Sequence, residues 1–441
     1  MLNETATKLL NKIETKQAVV GVVGLGYVGL PLAVEKAKAG YKVIGFDIQQ
    51  KRVDMVNEGI NYIGDVVDEE LASTVAGGQF VATTDYSKIS EVDAVAICVP
   101  TPLDNYQQPD TSYVEMSGSE IAKYLHEGML IVLESTTYPG TTEEILKPIL
   151  EKSGFKVGQE IFLSYSPERV DPGNKVYNTK NTPKVVGGVT PACTEIAGVL
   201  YKNVLEGDIH KVSSPAVAEM EKILENTFRH INIALANEMA ILCDKMGIDV
   251  WEVIDAAATK PYGFMPFYPG PGLGGHCIPI DPFYLTWKAR EYNYHTRLIE
   301  LAGEINNSMP EFVVNRCMYL LNNEGKALKN SKVLVLGVAY KKDIDDVRES
   351  PALIVLDLLE KAGANYTVVD SFVKQFKMCG EIVEPKKSFT SQDLEEADIV
   401  LITTNHTDFD YELLAKSDAL IFDTRNSFKA TSQLPKNYYK L

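Results

Sequence analysis

Ala18-Val19-Val20-Gly21-Val22-Val23-Gly24-Leu25-Gly26-Tyr27-Val28-Gly29 is the stretch on which the fold turns. Its β-branched, apolar first half predicts a buried strand. Gly24, Gly26 and Gly29 then stand in G-x-G-x-x-G spacing, and residues 30–39 carry a helical pattern that stops at Gly40. Residues 42–47 read as the next strand and end on Asp47, about 20 residues beyond the glycines. This order places a pyrophosphate on a helix N-terminus and offers a carboxylate to a ribose. Asp47 accepts from the adenosine ribose hydroxyls and repels a 2′-phosphate, so NAD is expected rather than NADP. The other reading of the glycines is tight packing inside an α/β domain.

Outward from this unit, strands are predicted at 94–99 and 130–134 with helical patterns between them, which implies a parallel, doubly wound sheet. Ser213-Ser214-Pro215 opens a long helical pattern that ends at Gly247. A second helix covers 250–258, a Gly/Pro/aromatic loop covers 260–282, and helices resume to 323. Strand–helix alternation returns with a strand at 332–337, a helix at 352–362 and strands at 366–369, 399–403 and 419–422. That segment has no G-x-G-x-x-G, so no second dinucleotide site is indicated. The expected fold is α/β: two Rossmann-like parallel-sheet domains, 1–210 and 326–441, joined by an all-helical domain, 211–325, with a long helix.

A chain of 441 residues with 45% hydrophobic content supports several cores. The formal net charge of −17 argues against nucleic acid and anionic membrane partners. No apolar run approaches the roughly 18 residues of a membrane span, and residues 1–17 lack the basic start and apolar centre of a signal peptide. A cytoplasmic protein is expected. The six cysteines, Cys98, Cys193, Cys243, Cys277, Cys317 and Cys379, form no CxxC pair, so neither a disulfide framework nor a metal site is predicted. Most read as small buried hydrophobes, and only Cys277 stands where a thiol can be approached.

Cys277 lies in Gly274-Gly275-His276-Cys277-Ile278-Pro279-Ile280-Asp281. Two glycines beside a thiol, with a carboxylate four residues on, suit a nucleophile with help for water; a plain turn is the alternative. On the long helix, Lys222, Asn226 and Arg229 are spaced by four and three, which puts them on one face. They form either a solvated stripe or a lysine and an amide that steady a developing oxyanion. Ser166-Pro167-Glu168-Arg169 and Ser135-Thr136-Thr137 each end a predicted strand, where a side chain faces either a ligand crevice or solvent. Tyr340-Lys341-Lys342-Asp343-Ile344-Asp345-Asp346-Val347-Arg348-Glu349-Ser350 follows the first strand of the last domain and suits a diphosphate, or is a mixed-charge loop.

Taken in order, the glycine turn 24–29, Cys98-Val99-Pro100-Thr101-Pro102, Ser135-Thr136, Ser166-Pro167-Glu168, Lys222 with Asn226, the Cys277 loop and Arg348-Glu349-Ser350 resemble the UDP-glucose/GDP-mannose 6-dehydrogenase family of nucleotide-sugar dehydrogenases over nearly the whole chain. The resemblance implies an NAD-dependent oxidation at C6 of a UDP-sugar. It implies Cys277 as nucleophile, Lys222 and Asn226 as the oxyanion pair, Asp281 as the group that activates water, and Glu168 and Thr136 at the catalytic water and nicotinamide. Gly24, Gly26, Tyr27, Val28, Gly29, Asp47, Arg52, Thr101, Thr136 and Arg348 stand at cofactor positions of the family. Tyr340, Lys341 and Arg425 stand at its UDP site. The same resemblance implies a homodimer built on the long helix.

Glu225-Asn226-Thr227-Phe228-Arg229-His230-Ile231-Asn232 and Gly263-Phe264-Met265-Pro266-Phe267-Tyr268-Pro269-Gly270-Pro271 are similar to the branch that acts on UDP-N-acetylhexosamines. That branch implies sugar contacts at Glu168, Lys222, Asn226, Arg229, Phe267 and Gly274. The UDP-N-acetylglucosamine 6-dehydrogenases are the nearest pattern, followed by UDP-N-acetylmannosamine and then UDP-glucose oxidation. UDP-glucose enzymes carry an arginine at the start of the cysteine loop, where only Lys260 stands here. A two-electron hydroxyacid dehydrogenase would need no Cys277, and a protein that only binds NAD or a nucleotide sugar would need none of the set.

Overall fold

The apolar run of the opening stretch forms strand β1 (Val19–Val23), buried from Val20 onward. It is flanked by α1 (Glu4–Glu14), α2 (Gly29–Lys38) and β2 (Lys42–Phe46), and followed by α3 (Gln50–Asn57), α4 (Asp68–Ala76), β3 (Phe80–Thr83), β4 (Ala94–Ile97) and α5 (Ser112–Ala122). Then come β5 (Leu130–Leu133), α6 (Lys147–Glu151), β6 (Phe162–Tyr165), β7 (Lys184–Gly188), α7 (Pro191–Lys202) and β8 (Ile209–Val212). The computed structural model describes residues 2–441 except 105–107, 172, 173, 175, 276 and 431–433. The strands form one sheet in the order β3-β2-β1-β4-β5-β6-β7-β8, parallel at every pair except β6–β7. The order reverses between β1 and β4, so a crevice opens at their C-terminal ends, where such sheets bind nucleotides.

The central domain is helical: α8 (Pro215–Met246), α9 (Val250–Ala258), α10 (Asp281–Ala289) and α11 (Arg297–Asn323). Gly247 ends α8 in the left-handed conformation, φ 70°. Asp249 caps α9 by accepting from the amides of Trp251 and Glu252.

The chain continues through β9 (Lys332–Leu336), α12 (Pro351–Lys361), β10 (Asn365–Val369), a separate antiparallel hairpin of β11 (Phe376–Met378) and β12 (Glu381–Val383), α13 (Ser391–Glu396), β13 (Ile399–Ile402), α14 (Tyr411–Lys416), β14 (Ile421–Asp423) and β15 (Tyr438–Lys440), and β9, β10, β13, β14 and β15 form a second parallel sheet. Its order is β10-β9-β13-β14-β15. β15, too short and polar to read from periodicity, pairs with β14.

The chain packs as two compact units, Met1–Glu225 with Trp287–Tyr294, and Asn226–Thr286 with His295–Leu441. Their boundary falls inside α8, because one continuous helix supplies residues to both. The strand expected before Ser166 is β6, which begins at Phe162, whose amide opens the ladder on Met129 O at 2.9 Å. Ser166-Pro167-Glu168 therefore follows β6 directly. One expectation about the cysteines is corrected. Cys98, Cys193, Cys243 and Cys317 are buried, but Cys379 is exposed. Cys379 and Gly380 are the two left-handed residues, φ 47° and 88°, that turn the β11–β12 hairpin and direct the thiol to solvent.

Candidate active site

The three glycines after β1 have separate causes. A Cβ on Gly24, whose φ is 89°, would lie 2.7 Å from Cys98 O, and a Cβ on Gly29 would lie 1.8 Å from Gly24 O. Both are required by the protein's own packing. A Cβ on Gly26 would meet nothing within 4 Å. The fold leaves this room open in front of α2, whose N-cap, Val28, contributes no side-chain hydrogen bond to the first amides. An uncapped helix start beside open space fits a pyrophosphate.

Asp47 extends from the end of β2, nearly buried at 4% exposure. Its Oδ2 accepts from Leu25 N at 3.0 Å, its Oδ1 accepts from Gln49 N at 2.9 Å, and Arg52 Nη1 lies 3.4 Å from Oδ2. The carboxylate is thus fixed by the glycine turn it serves. Tyr62 OH closes the other side on Leu25 O at 2.7 Å; burial, then the Asp47 charge, push its pKa up to about 12. Tyr27 is exposed and Val28 half-buried. Thr101 Oγ1 donates to Thr136 O at 2.6 Å and Ser135 Oγ to Val99 O at 2.7 Å, tying together the segments that leave β4 and β5.

Glu168 is held from two sides. Its Oε1 accepts the amides of Arg169 and Val170 at 2.8 and 3.0 Å, and Lys184 Nζ lies 3.5 Å from Oε2. Lys184 also donates to Pro167 O at 3.2 Å and to Glu134 at 2.7 Å. Tyr201 OH donates to the other oxygen of Glu134. Burial opposes the charge of Lys184, but Glu134 and Glu168 outweigh it and raise its pKa. Glu134, Lys184 and Tyr201 escaped the sequence reading; the one available signal was a glutamate directly after the apolar run 130–133.

On α8, Lys222 and Asn226 are buried, 7% and 5% exposed. The buried face continues to His230, which sits edge-on to Phe283 at 6.1 Å; Arg229 is exposed and does not share their burial. Within the second unit, Asn226 Nδ2 donates to Asp281 Oδ2 at 2.6 Å. Asp281, the first residue of α10, donates its amide to Cys277 O at 2.8 Å, as Ile280 does at 3.1 Å. The half-buried Cys277 therefore sits on the turn that enters α10. His276 lies outside the described residues.

Gly274 and Gly275 hold this turn against the loop after β9. A Cβ on Gly274 would stand 2.6 Å from Tyr340 Cβ and 2.9 Å from Glu349 O, and one on Gly275 2.9 Å from the Tyr340 ring. Gly275 N donates to Arg348 O at 3.1 Å. The same unit thus joins Asn226, Cys277 and Asp281 to the segment bearing Tyr340, Lys341 and Arg348. Arg348 chelates Asp346, with Nη2–Oδ2 at 2.6 Å. Arg425 Nε donates to Thr403 O at 2.8 Å, and its Nη1 would lie 2.6 Å from a Cβ on Gly270. Phe267 packs edge-on to Phe228 at 5.7 Å.

Residues 18–205, 216–308 and 334–430 match, in turn, the NAD binding, central and UDP binding domains of the UDP-glucose/GDP-mannose dehydrogenase family. The chain belongs to this family. It is 38% identical over 359 residues to a UDP-N-acetyl-D-glucosamine 6-dehydrogenase of Pseudomonas aeruginosa, covering 81% of this chain and 84% of that one. It is also 38% identical over 405 residues to a UDP-N-acetyl-D-mannosamine dehydrogenase of Campylobacter jejuni, covering 88% and 96%. Among solved structures, a UDP-D-ManNAc dehydrogenase from Pyrococcus horikoshii superposes with a TM-score of 0.86 at 32% identity, over 96% of this chain and 98% of that one. This family member is an NAD-dependent UDP-sugar dehydrogenase with a UDP-sugar binding domain. Among the described residues no helix is long and apolar enough to cross a membrane.

Proposed function

We propose that the protein oxidises C6 of UDP-N-acetylglucosamine by four electrons to the uronic acid, with Cys277 as the covalent nucleophile. The observation that supports this reading is the pairing of the Asn226 amide with the Asp281 carboxylate, whose own backbone amide closes the turn on the Cys277 carbonyl. NAD held at the Gly24–Gly29 turn and Asp47 would supply the hydride acceptor, one NAD for each of the two oxidations. Lys222 and a base-activated water manage the alcohol proton of the first. The Cys277 thiolate adds to the resulting aldehyde carbon, and the thiohemiacetal oxyanion is held by Lys222 and Asn226. Loss of the second hydride leaves a thioester. Water activated by Asp281 or Glu168 cleaves it, which releases the acid and returns the thiol.

Thr136, Asp47, Arg52, Thr101 and Arg348 serve the cofactor in this reading. Tyr340, Lys341 and Arg425 hold the UDP, and Arg229, Phe267 and Gly274 contact the sugar. The first of the three expected domains would bind NAD, the middle one would carry the lysine, the cysteine and the dimer contact, and the last would bind the nucleotide sugar. An exposed stripe on α8 formed by Leu224, Phe228, Leu235, Leu242 and Met246, at helical spacing, supports a homodimer. The proposed location is the cytoplasm. UDP-N-acetylmannosamine is the second reading, supported by the relatives of that activity.

The test counts NADH formed per sugar consumed with UDP-N-acetylglucosamine, UDP-N-acetylmannosamine, UDP-glucose and UDP-galactose separately. Two NADH per sugar, with the first substrate preferred, is expected. One NADH per sugar overturns the role of Cys277, and a preference for another sugar overturns the substrate.

A further inference from the structure

The turn after β9 repeats the turn after β1. Register equates Gly337 with Gly24 and Asp370 with Asp47, because Val23 pairs with Phe46 and Ile97 just as Leu336 pairs with Val369 and Ile402. Gly24 and Gly337 have φ 89° and 87°. Each donates its amide to the last carbonyl of the next strand, Gly24 to Phe46 O at 2.7 Å and Gly337 to Val369 O at 2.8 Å. Each aspartate accepts through Oδ2 from the residue after that glycine, Leu25 N at 3.0 Å or Val338 N at 2.7 Å. Each accepts through Oδ1 from the amide two residues on, Gln49 N at 2.9 Å or Phe372 N at 3.0 Å. The C-terminal half thus keeps the geometry of a ribose-binding turn with only the first of the three glycines.

The halves differ at the fourth residue past the central strand, Thr101 in one and His406 in the other. Thr101 turns its hydroxyl to Thr136 O. His406, fully buried, reaches Asp370 Oδ2 with Nε2 at 3.0 Å. Its Nδ1 accepts the Asp343 amide at 2.9 Å, so the ring is the neutral tautomer with its proton on Nε2. Asp370 Oδ2 also accepts from Ala339 N at 3.2 Å and Oδ1 from Val373 N at 2.9 Å. Burial disfavours the charge of Asp370, but the bonds from His406, Val338 and Val373 hold its pKa below the ordinary value.

At its other end the imidazole governs a strained residue. Asp343 adopts φ 62°, and its carboxylate accepts from Thr407 N and Thr407 Oγ1 at 2.8 and 2.9 Å. This left-handed residue aims its amide at His406 and directly follows Tyr340-Lys341-Lys342. Phe372 stacks on the imidazole at 4.8 Å and Phe409 meets it edge-on at 5.2 Å, which fixes the ring.

We propose that His406 is a positioning residue of the nucleotide-sugar site: it fills the place where a ribose would meet Asp370, and it fixes the Tyr340–Asp343 turn that presents Lys341 to the diphosphate. The proposal rests on the reading that Lys341 binds UDP. Titration calorimetry of the full chain with UDP, and separately with NAD, tests both. His406→Phe keeps the ring stacking but removes both polar bonds; it should weaken UDP by roughly tenfold or more, as expected when buried groups lose their partners. His406→Gln supplies one donor and one acceptor and should recover most of the affinity, with NAD binding unchanged in both variants. UDP affinity that falls with Lys341→Ala but not with His406→Phe overturns the proposal alone. Indifference to Lys341→Ala overturns the site reading, and the proposal with it. Amide exchange provides the same decision without a foldable Phe variant: an Asp343 amide that is unprotected in the wild-type protein overturns it, and one equally protected in wild type and His406→Gln supports it.

Discussion

Asn226 Nδ2 donates to Asp281 Oδ2 at 2.6 Å, so the amide on the long helix and the carboxylate that opens α10 are one hydrogen-bonded pair. Both side chains are nearly buried, 5% and 2% exposed. Asp281→Asn keeps the size but leaves two amides to share one position. We expect kcat to fall about 10²- to 10⁴-fold, the span of general acid–base contributions. UDP affinity should be little changed. Steady-state turnover beside UDP calorimetry checks this, and near-normal kcat would remove Asp281 from the chemistry.

Cys277→Ser should stall before net acid release. Product analysis by mass spectrometry reads it: full acid yield from that variant would sink covalent catalysis.

Gly26→Ala should separate cofactor binding from folding. Its added methyl enters open space, so Tm should stay within a few degrees of the wild type. The same methyl stands where the pyrophosphate approaches the backbone, so NAD affinity should drop by tenfold or more at a cost of about 1.4 kcal/mol. Gly29→Ala should instead destabilise the fold, because its Cβ would overlap Gly24 O. Thermal melts and NAD titrations of both variants check the contrast, and equal behaviour in the two would refute it.

Lys184→Met should cost about 3–5 kcal/mol of stability, since it leaves the buried Glu134 carboxylate without its cation. Adding Glu134→Gln to that variant should restore part of the loss, because Gln still accepts from Tyr201. Denaturant unfolding of the single and double variants decides; a double variant less stable than Lys184→Met would contradict the pairing.

Glu219 predicts a stability that declines toward neutral pH. Burial raises its pKa from 4.5 to about 7, against hydrogen bonds from Thr142 and Gly140 that lower it. Below the unfolded value both states are protonated and the contribution is complete. Between the two values the folded state holds more protons, so stability falls as pH rises through about 7, by up to ~3 kcal/mol for this group. Glu219→Gln imitates the protonated form and should flatten that fall. Unfolding free energies at about pH 5 and about pH 8 provide the comparison, and an unchanged slope in the variant counts against the assignment.

The glycine turn, Asp47, the long helix and the second run of strands were readable because periodicity and turn chemistry are local: a strand of β-branched residues ending in Gly24 needs no partner to be recognised. The cysteine loop was readable as a motif for the same reason. Local pattern alone left the meaning of Gly26, Gly274 and Gly275 open, since spacing does not distinguish a glycine facing open space from one pressed on a tyrosine. It also suggested that Arg229 shares the environment of Lys222, whereas burial separates them. Burial depends on what covers a helix, not on the angle at which a residue leaves it.

Glu134, Lys184 and Tyr201 come from three distant segments, and so do Asp343, Asp370 and His406. Nothing local marks either group. From sequence alone, then, come the α/β order of this protein, its NAD-binding turn and the expectation that Cys277 is the nucleophile. Tertiary structure alone decided which carboxylates are paired and which histidine closes the second turn. The physical reason is that a charge or a hydrogen-bonding group inside a protein takes its state from neighbours that only the folded chain brings within about 3 Å.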